Sequence, residues 1–318
     1  MGATGGPGPT GVLTGETWDR STVTKLADEG AVGGAWESRG VSGRQVEFPG
    51  MPARLYACTP TRLTTWLDCP RRYRFAYLDR PAPPKGPPWA HNSMGAAVHS
   101  ALADWWSLPF PQRLPGRGVD LVRRRWLTDG FADAEQSATV RERAVGWVEE
   151  YLLRVDPAAE PLGVERTVAA PTAKLALSGR VDRIDAAPDG GLVIVDYKTG
   201  RRPLDTDDAR GSLALGLYAV AAARTLRREC RRVELHHLPT GTVAAHEHTP
   251  AALERKVAEA ESIAQDARRA DVAHAEGRTG DDVFPARPSR LCSWCDFRRH
   301  CPEGRDAAPD QPSWAAVV

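Results

Sequence analysis

The apolar positions of this chain repeat with two different periods, and the change from one to the other divides it. From Thr59 onward Leu63, Trp66 and Leu67 recur at helical spacing, with Thr59 placed to cap the helix and Pro60 at its first turn. Pro70 disturbs that helix, and Cys69 stands at the break. After a Pro-rich loop over residues 81–88, the stretch SMGAAVHSALADWWSL predicts a second helix, and segments 117–132 and 137–154 predict two more. The period then falls to two. LGVERTVAA, LALSGRVDRIDAA and GLVIVDYK are short, β-branched and separated by turn residues, the last two by Pro188-Asp189-Gly190-Gly191, and they predict a meander. Residues 211–228 return to helical spacing, RRVELHHL and TVAAHEHT predict a hairpin across Pro239-Thr240-Gly241, and residues 250–277 predict a long Ala- and Glu-rich helix. No internal repeat is visible. Residues 1–52 are rich in Gly, Thr and Pro without a sustained apolar period and read as a disordered leader, which leaves 53–305 for the folded domain and 306–318 as a flexible tail.

Hydrophobic residues make up 42% of the 318 positions, enough for a core, and 42 Lys plus Arg stand against 41 Asp plus Glu. An anionic partner must therefore be held by a local patch and not by overall charge. Lys occurs only at positions 25, 85, 174, 198 and 256, so each one stands out against the arginines. The start of the chain lacks a basic region followed by an apolar one, and no apolar run is long enough to span a bilayer. A cytoplasmic protein without a membrane partner is expected.

The stretch VIVDYKTG ends an apolar strand with two charges. Side chains alternate along a strand, so Asp196 and Lys198 share a face while Tyr197 points the other way. A hairpin centred near Asp189 would set Asp182 of GRVDRID beside Asp196. Two carboxylates that close repel unless a cation neutralises them, and oxygen ligands favour Mg²⁺ or Mn²⁺. An ion so held can polarise a phosphodiester and acidify a water, with Lys198 left to orient that water or to stabilise the growing charge. The plainer reading is an ion pair between Asp196 and Lys198 at a strand end, with Asp182 paired to Arg180 or Arg183. Against it stands the arrangement as a whole: a G-x-V-D strand, an acidic turn, then an apolar strand ending in D-x-K-T-G.

GRVDRID followed by VIVDYKTG resembles the PD-(D/E)XK nuclease superfamily in its RecB-like exonuclease branch, over about residues 56–305. The resemblance implies an α/β fold of restriction-endonuclease type, a mixed central β-sheet flanked by helices. It implies a metal-dependent DNA nuclease, with single-stranded ends as substrate and repair or recombination as setting. His99, four residues after Gly95 in MGAAVHSAL, would be a metal ligand with Asp182, Asp196 and the carbonyl of Tyr197; Lys198 would be catalytic and Glu165 in GVERTV auxiliary. One position departs from the pattern. Relatives carry Gln-x-x-x-Tyr on the next helix, and here Tyr218 is preceded by Ala214, which puts DNA positioning or turnover in doubt. No phosphate-loop motif occurs, so any helicase is a separate partner.

Cys292, Cys295 and Cys301 form C-x₂-C-x₅-C, a spacing that in a cytosolic protein reads as metal binding. Three thiolates want a fourth. The same resemblance supplies Cys69 and favours a [4Fe–4S] cluster joining the N-terminal helix to the C-terminal segment, although four thiolates alone leave Zn²⁺ open. Cys58 and Cys230 have no partner motif and are expected as buried or free thiols. Arginines at 71, 72, 74, 123–125, 201, 202, 298 and 299 are candidate phosphate contacts, and Tyr73, Phe75 and Trp294 candidate base-stacking groups. His236, His237, His246 and His248 read as the polar face of the late hairpin. Two rival readings are a nucleic-acid-binding module that kept the fold without catalysis and a zinc-stapled interaction protein.

Overall fold

The computed structural model describes residues 55–317, so the leader expected over 1–52 lies outside the described residues. Strand β1 (Tyr56–Cys58) leads into α1 (Pro60–Asp68), whose cap is Thr59: its Oγ1 accepts from the Arg62 amide at 3.1 Å. Helix α2 (Pro70–Tyr77) follows at once. Cys69 closes one helix and opens the other in an extended conformation, φ −165° and ψ 113°, the region into which a following proline pushes its neighbour.

Next come α3 (Ala90–Trp106), α4 (Pro115–Arg125) and α5 (Ala134–Leu152). Helix α4 stops short of the expected residue 132. The chain turns extended at Trp126, and Gly130, at φ +85°, lies so close to the backbone of residues 88–90 that an added Cβ would stand 2.5 Å from the Ala90 nitrogen. The rest runs β2 (Gly163–Pro171), β3 (Leu175–Ala186), β4 (Leu192–Lys198), α6 (Thr206–Gly211), α7 (Leu213–Leu226), β5 (Cys230–His237), β6 (Thr242–Glu247), α8 (Pro250–Ala275) and α9 (Pro302–Ala307).

The six strands of the described residues join one mixed sheet in the order β1-β3-β4-β5-β6, with β2 on the other side of β3. The β1–β3 and β4–β5 pairs are parallel and the others antiparallel. Along β4 the side chains alternate between two cores. Leu192 and Ile194 pack with Leu63, Leu217 and Ala264 from α1, α7 and α8, whereas Val193, Val195 and Tyr197 pack with Val98, Leu102 and Val148 from α3 and α5. Helices thus cover the sheet on both faces, which is why β4 reads as an unbroken apolar run. Its charged residues come only at the tip.

Three elements, β1, α6 and α9, were not anticipated from the sequence. Three residues of β1 are too few to show a period, and α6 is announced only by the capping box of Asp205 and Asp208. The segment after residue 305, read from sequence as a flexible tail, is packed along the start of α3. Ala90 donates to the Ser313 carbonyl at 3.0 Å, Ser313 Oγ donates to the Gly130 carbonyl at 2.6 Å, and Val317 is buried.

Candidate active site

The ladder of β3 and β4 pairs Arg183 with Val195 and Ile184 with Ile194, a register that continues to Asp182 opposite Asp196. On its other side β3 meets β2, where Val164 faces Arg183 and Arg166 faces Val181, so Glu165 falls opposite Asp182. Three carboxylates therefore lie in a row across three neighbouring strands. Glu165 itself sits at φ +46°, a left-handed conformation that costs a non-glycine residue on the order of 1–3 kcal/mol. The ladder pairs on both sides hold it there, and the kink turns its carboxylate toward the site.

His99 reaches the row from α3. Its Nδ1 is 3.3 Å from Asp182 Oδ2, the oxygen that also accepts the Tyr197 amide at 2.8 Å. Gly95, one turn earlier, lets α3 approach the loop after β4: a Cβ there would stand 3.4 Å from Thr199 Oγ1. Each end of the row carries a cation. Lys198 Nζ lies 2.5 Å from Asp196 Oδ2, and Arg180 Nε lies 2.5 Å from Glu165 Oε2. The first contact is an ion pair outside hydrogen-bond geometry, since Asp196 Oδ2 is a buried oxygen with no hydrogen-bond partner. Glu165, Asp182, His99 and Lys198 line a cleft of ≈ 920 Å³, with His91, Arg125 and Arg201 also on its wall, while Asp196 lies behind it.

The electrostatics of the site are those of excess negative charge. Burial and the neighbouring Asp182 push the carboxyl of Asp196 up despite Lys198. Glu165 is raised for the same two reasons, against the pull of Arg180. Burial alone would lower His99, yet its bond to Asp182 and the charges of Asp182 and Asp196 raise it. A bound cation would relieve all three. The donor atoms of His99, Glu165 and Asp182 lie within 4.8 Å of one another, close enough for one ion of the Mg²⁺ or Mn²⁺ kind. Among the described residues this is the group of three that the structure gathers; Asp196, expected as a ligand beside them, stands apart on Lys198.

Behind the row, on the other face of the sheet, a buried network fixes it. Arg183 donates to the Tyr197 hydroxyl at 3.0 Å and to the Tyr151 hydroxyl at 2.8 Å, lies 2.8 Å from Asp185, and sits 4.8 Å over the Trp106 ring. Burial works against its charge; Tyr197, Tyr151 and Asp185 more than restore it. Trp106 Nε1 completes the set by donating to the Tyr197 hydroxyl at 3.1 Å. Thus the residues next to Asp182 and Asp196 are bonded to each other, and neither β3 nor β4 can slide without breaking that bond. From sequence Arg183 read as a possible partner of Asp182; the structure pairs it with Asp185 and the two tyrosines instead. The signal for it was an arginine alternating with apolar residues in a strand that is covered on both faces.

Several expectations are corrected. Tyr73 and Phe75 are buried, Tyr73 completely, and cannot stack on bases, while Trp294 is half-exposed. Arg71 is buried against Asp281, Glu303 and Cys301 and is not free for phosphate. The late hairpin has no polar histidine face, because His236, His237 and His248 are buried. His236 bonds Tyr151 and Glu234, and His237 bonds Thr240 and the Gly200 carbonyl. Cys58 and Cys230 are buried thiols.

Cys69, Cys292, Cys295 and Cys301 line a single small cavity of ≈ 40 Å³. A Cβ on Gly304 would stand 3.3 Å from Cys301 Sγ and 3.6 Å from Cys292 Sγ, so this position keeps room for the sulfurs. Burial raises the Cys295 thiol, and Cys69 and Cys292 add to it. The two chain ends are pinned around the cavity. Arg71 bridges to Asp281 and Glu303, Phe75 meets Phe297 with centroids 5.6 Å apart, and Trp89 meets Trp294 at 5.1 Å. Four thiols converging on one cavity fit a metal or a metal–sulfur cluster.

A mixed sheet between helices, with a strand hairpin that carries acidic residues and a lysine to one cleft, defines a nuclease-type α/β fold. The family model for the PD-(D/E)XK nuclease superfamily matches residues 57–302, and the chain belongs to that superfamily. No curated protein matches the chain. Among solved structures it is similar to a provisionally assigned exonuclease from Eubacterium rectale, at 12% identity and a TM-score of 0.44, covering 76% of this chain and 86% of that one. It is also similar to the protein SSO0001, at 14% identity and a TM-score of 0.33, covering 79% and 88%. No helix among the described residues is long and apolar enough to cross a membrane.

Proposed function

We propose that the protein is a RecB-like, metal-dependent DNA nuclease that hydrolyses phosphodiester bonds from single-stranded ends. The observation that carries this reading is the row Glu165–Asp182–Asp196 with His99 and Lys198 beside it, set at a cleft of ≈ 920 Å³. His99, Glu165 and Asp182 would hold a divalent ion; family likeness would add Asp196, which must leave Lys198 to reach it, and the Tyr197 carbonyl. When bound, Mg²⁺ or Mn²⁺ supplies Lewis-acid chemistry and makes a water easier to deprotonate.

The chain's own groups do the rest. Tyr197 donates its amide to Asp182 and so orients that carboxylate, and Arg183 holds Tyr197 from behind. Lys198 is half-exposed and reaches the cleft, where its ammonium can place a proton donor against a non-bridging phosphate oxygen as charge grows there. Asp196, whose Oδ2 lies 2.5 Å from Lys198 Nζ, keeps that ammonium close to the row.

For the cysteines we propose a [4Fe–4S] cluster. The four cysteines line one cavity, and the likeness to relatives with a four-cysteine staple favours the cluster over Zn²⁺. Any unwinding of duplex would come from a separate helicase. The rival reading, a binding module without catalysis, rests on Ala214, where relatives carry Gln; Tyr218 keeps its place against Gly179. The deciding experiment is incubation of the purified chain with end-labelled single and double strands, with Mn²⁺ and with chelator. Chelator-sensitive shortening of the single strand supports the reading, and intact strands in Mn²⁺ refute it.

A further inference from the structure

The three arginines that line the cleft are held differently. Arg125 is tied to Asp104 at 2.6 Å, and Arg201 has no ion pair among the described residues. Arg180 alone is bound to one of the clustered ligand residues, its Nε 2.5 Å from Glu165 Oε2. The contrast in mobility matters: the Arg180 side chain is 67% exposed, whereas Glu165 is 23% exposed and fixed by a kinked backbone between ladder pairs. One partner can swing away and the other cannot.

A guanidinium and a divalent cation compete for the same carboxylate. With His99 and Asp182 adding donors within 4.8 Å, a doubly charged ion gains more from that site than an exposed guanidinium does. Arg180 lies two residues before Asp182 on β3 and so stays on the row's face after it lets go. Its counterpart at the far end is Lys198, also 2.5 Å from an acid of the row.

We propose that Arg180 neutralises Glu165 only until a divalent cation takes that carboxylate, and that the freed guanidinium then binds a phosphate of the DNA strand beside the bond to be cut. The inference rests on reading the cleft as a nuclease site. A guanidinium suits the role because its planar fork matches two phosphate oxygens, which an ammonium cannot do.

The exchange predicts effects of opposite sign, which a purely structural arginine would not give. Mn²⁺ is titrated into the full chain without DNA, followed by loss of the free-ion paramagnetic signal, for the wild type, Arg180→Ala and Arg180→Lys. Single-turnover cleavage of an end-labelled single strand is then measured at saturating Mn²⁺ for each. Arg180→Ala should bind Mn²⁺ about 2–5-fold more tightly, the measure of an exposed ion pair removed, and yet cleave about 10–100-fold more slowly. Arg180→Lys should fall between the two in cleavage. Looser Mn²⁺ binding by Arg180→Ala, or unchanged cleavage at saturation, overturns the proposal. A wild type that binds Mn²⁺ but cuts no DNA overturns the nuclease reading and the phosphate half of this inference, while the Mn²⁺ comparison still decides whether Arg180 competes for Glu165.

Discussion

Glu165, Asp182 and Asp196 lie on three neighbouring strands, so ladder register alone brings them together, whereas Cys69 must meet Cys292, Cys295 and Cys301 from the other end of the domain. The two sites are therefore exposed to different failures. A one-residue slip between β3 and β4 would send one carboxylate to the opposite face, and the buried bond between Arg183 and Tyr197 opposes that slip. The cysteine site has no register to rely on. Closing so long a loop costs conformational entropy, and a bound cluster would return its binding energy as folding energy. The first site should govern chemistry with little effect on stability, and the second stability above all.

The largest expected effect breaks chemistry alone. Asp182→Asn should slow cleavage by on the order of 10³-fold, as loss of a central electrostatic group does, while the melting temperature stays within a few degrees of wild type. A variant that melts much earlier would mean the row is structural. Next in size is Cys69→Ser, which should bleach the iron absorbance and lower the melting temperature by roughly 10 °C. Cys58→Ser, eleven positions away in the sequence and buried elsewhere, should keep its iron. Loss of iron from both variants alike would remove the distinction between them.

The link between the sites can be tested through Arg183. Arg183→Met leaves Asp185 and two phenols without their cation and should cost about 3 kcal/mol in urea unfolding, with slower cleavage but retained iron. The smallest effect concerns His248, which belongs to neither site. Burial first, then His246 and Lys256, pull its imidazole down to about 4 from the usual 6.5. The unfolded chain then binds more protons between those values, so stability falls as pH drops from 6.5 to 4. His248→Phe should flatten that slope, worth about 1–3 kcal/mol; an unchanged slope would mean that the histidine is not held neutral.

Much of the row could be read from the sequence, because strand alternation and a hairpin centred on Asp189 fix which residues face each other. Glu165 is harder to read, since its side chain reaches the row through a left-handed kink that no pattern announces. Arg183 was read only as a possible partner of Asp182, because an arginine in a strand looks solvated until both faces of the sheet are known to be covered. The histidines of the late hairpin misled in the same way, with alternation suggesting a polar face where Tyr151, Glu234 and the Gly200 carbonyl supply buried partners. The convergence of the four cysteines was expected from family likeness and not from periodicity, because no local rule links residue 69 to residues 292–301.

The most direct measurement is Mn²⁺-dependent shortening of an end-labelled single strand by purified wild-type and Asp196→Ala protein, with DNA retention at low salt followed in parallel. The account predicts that the wild type shortens the strand and that Asp196→Ala does not, although it still retains DNA through arginine contacts to phosphate. Undiminished cleavage by Asp196→Ala would contradict it.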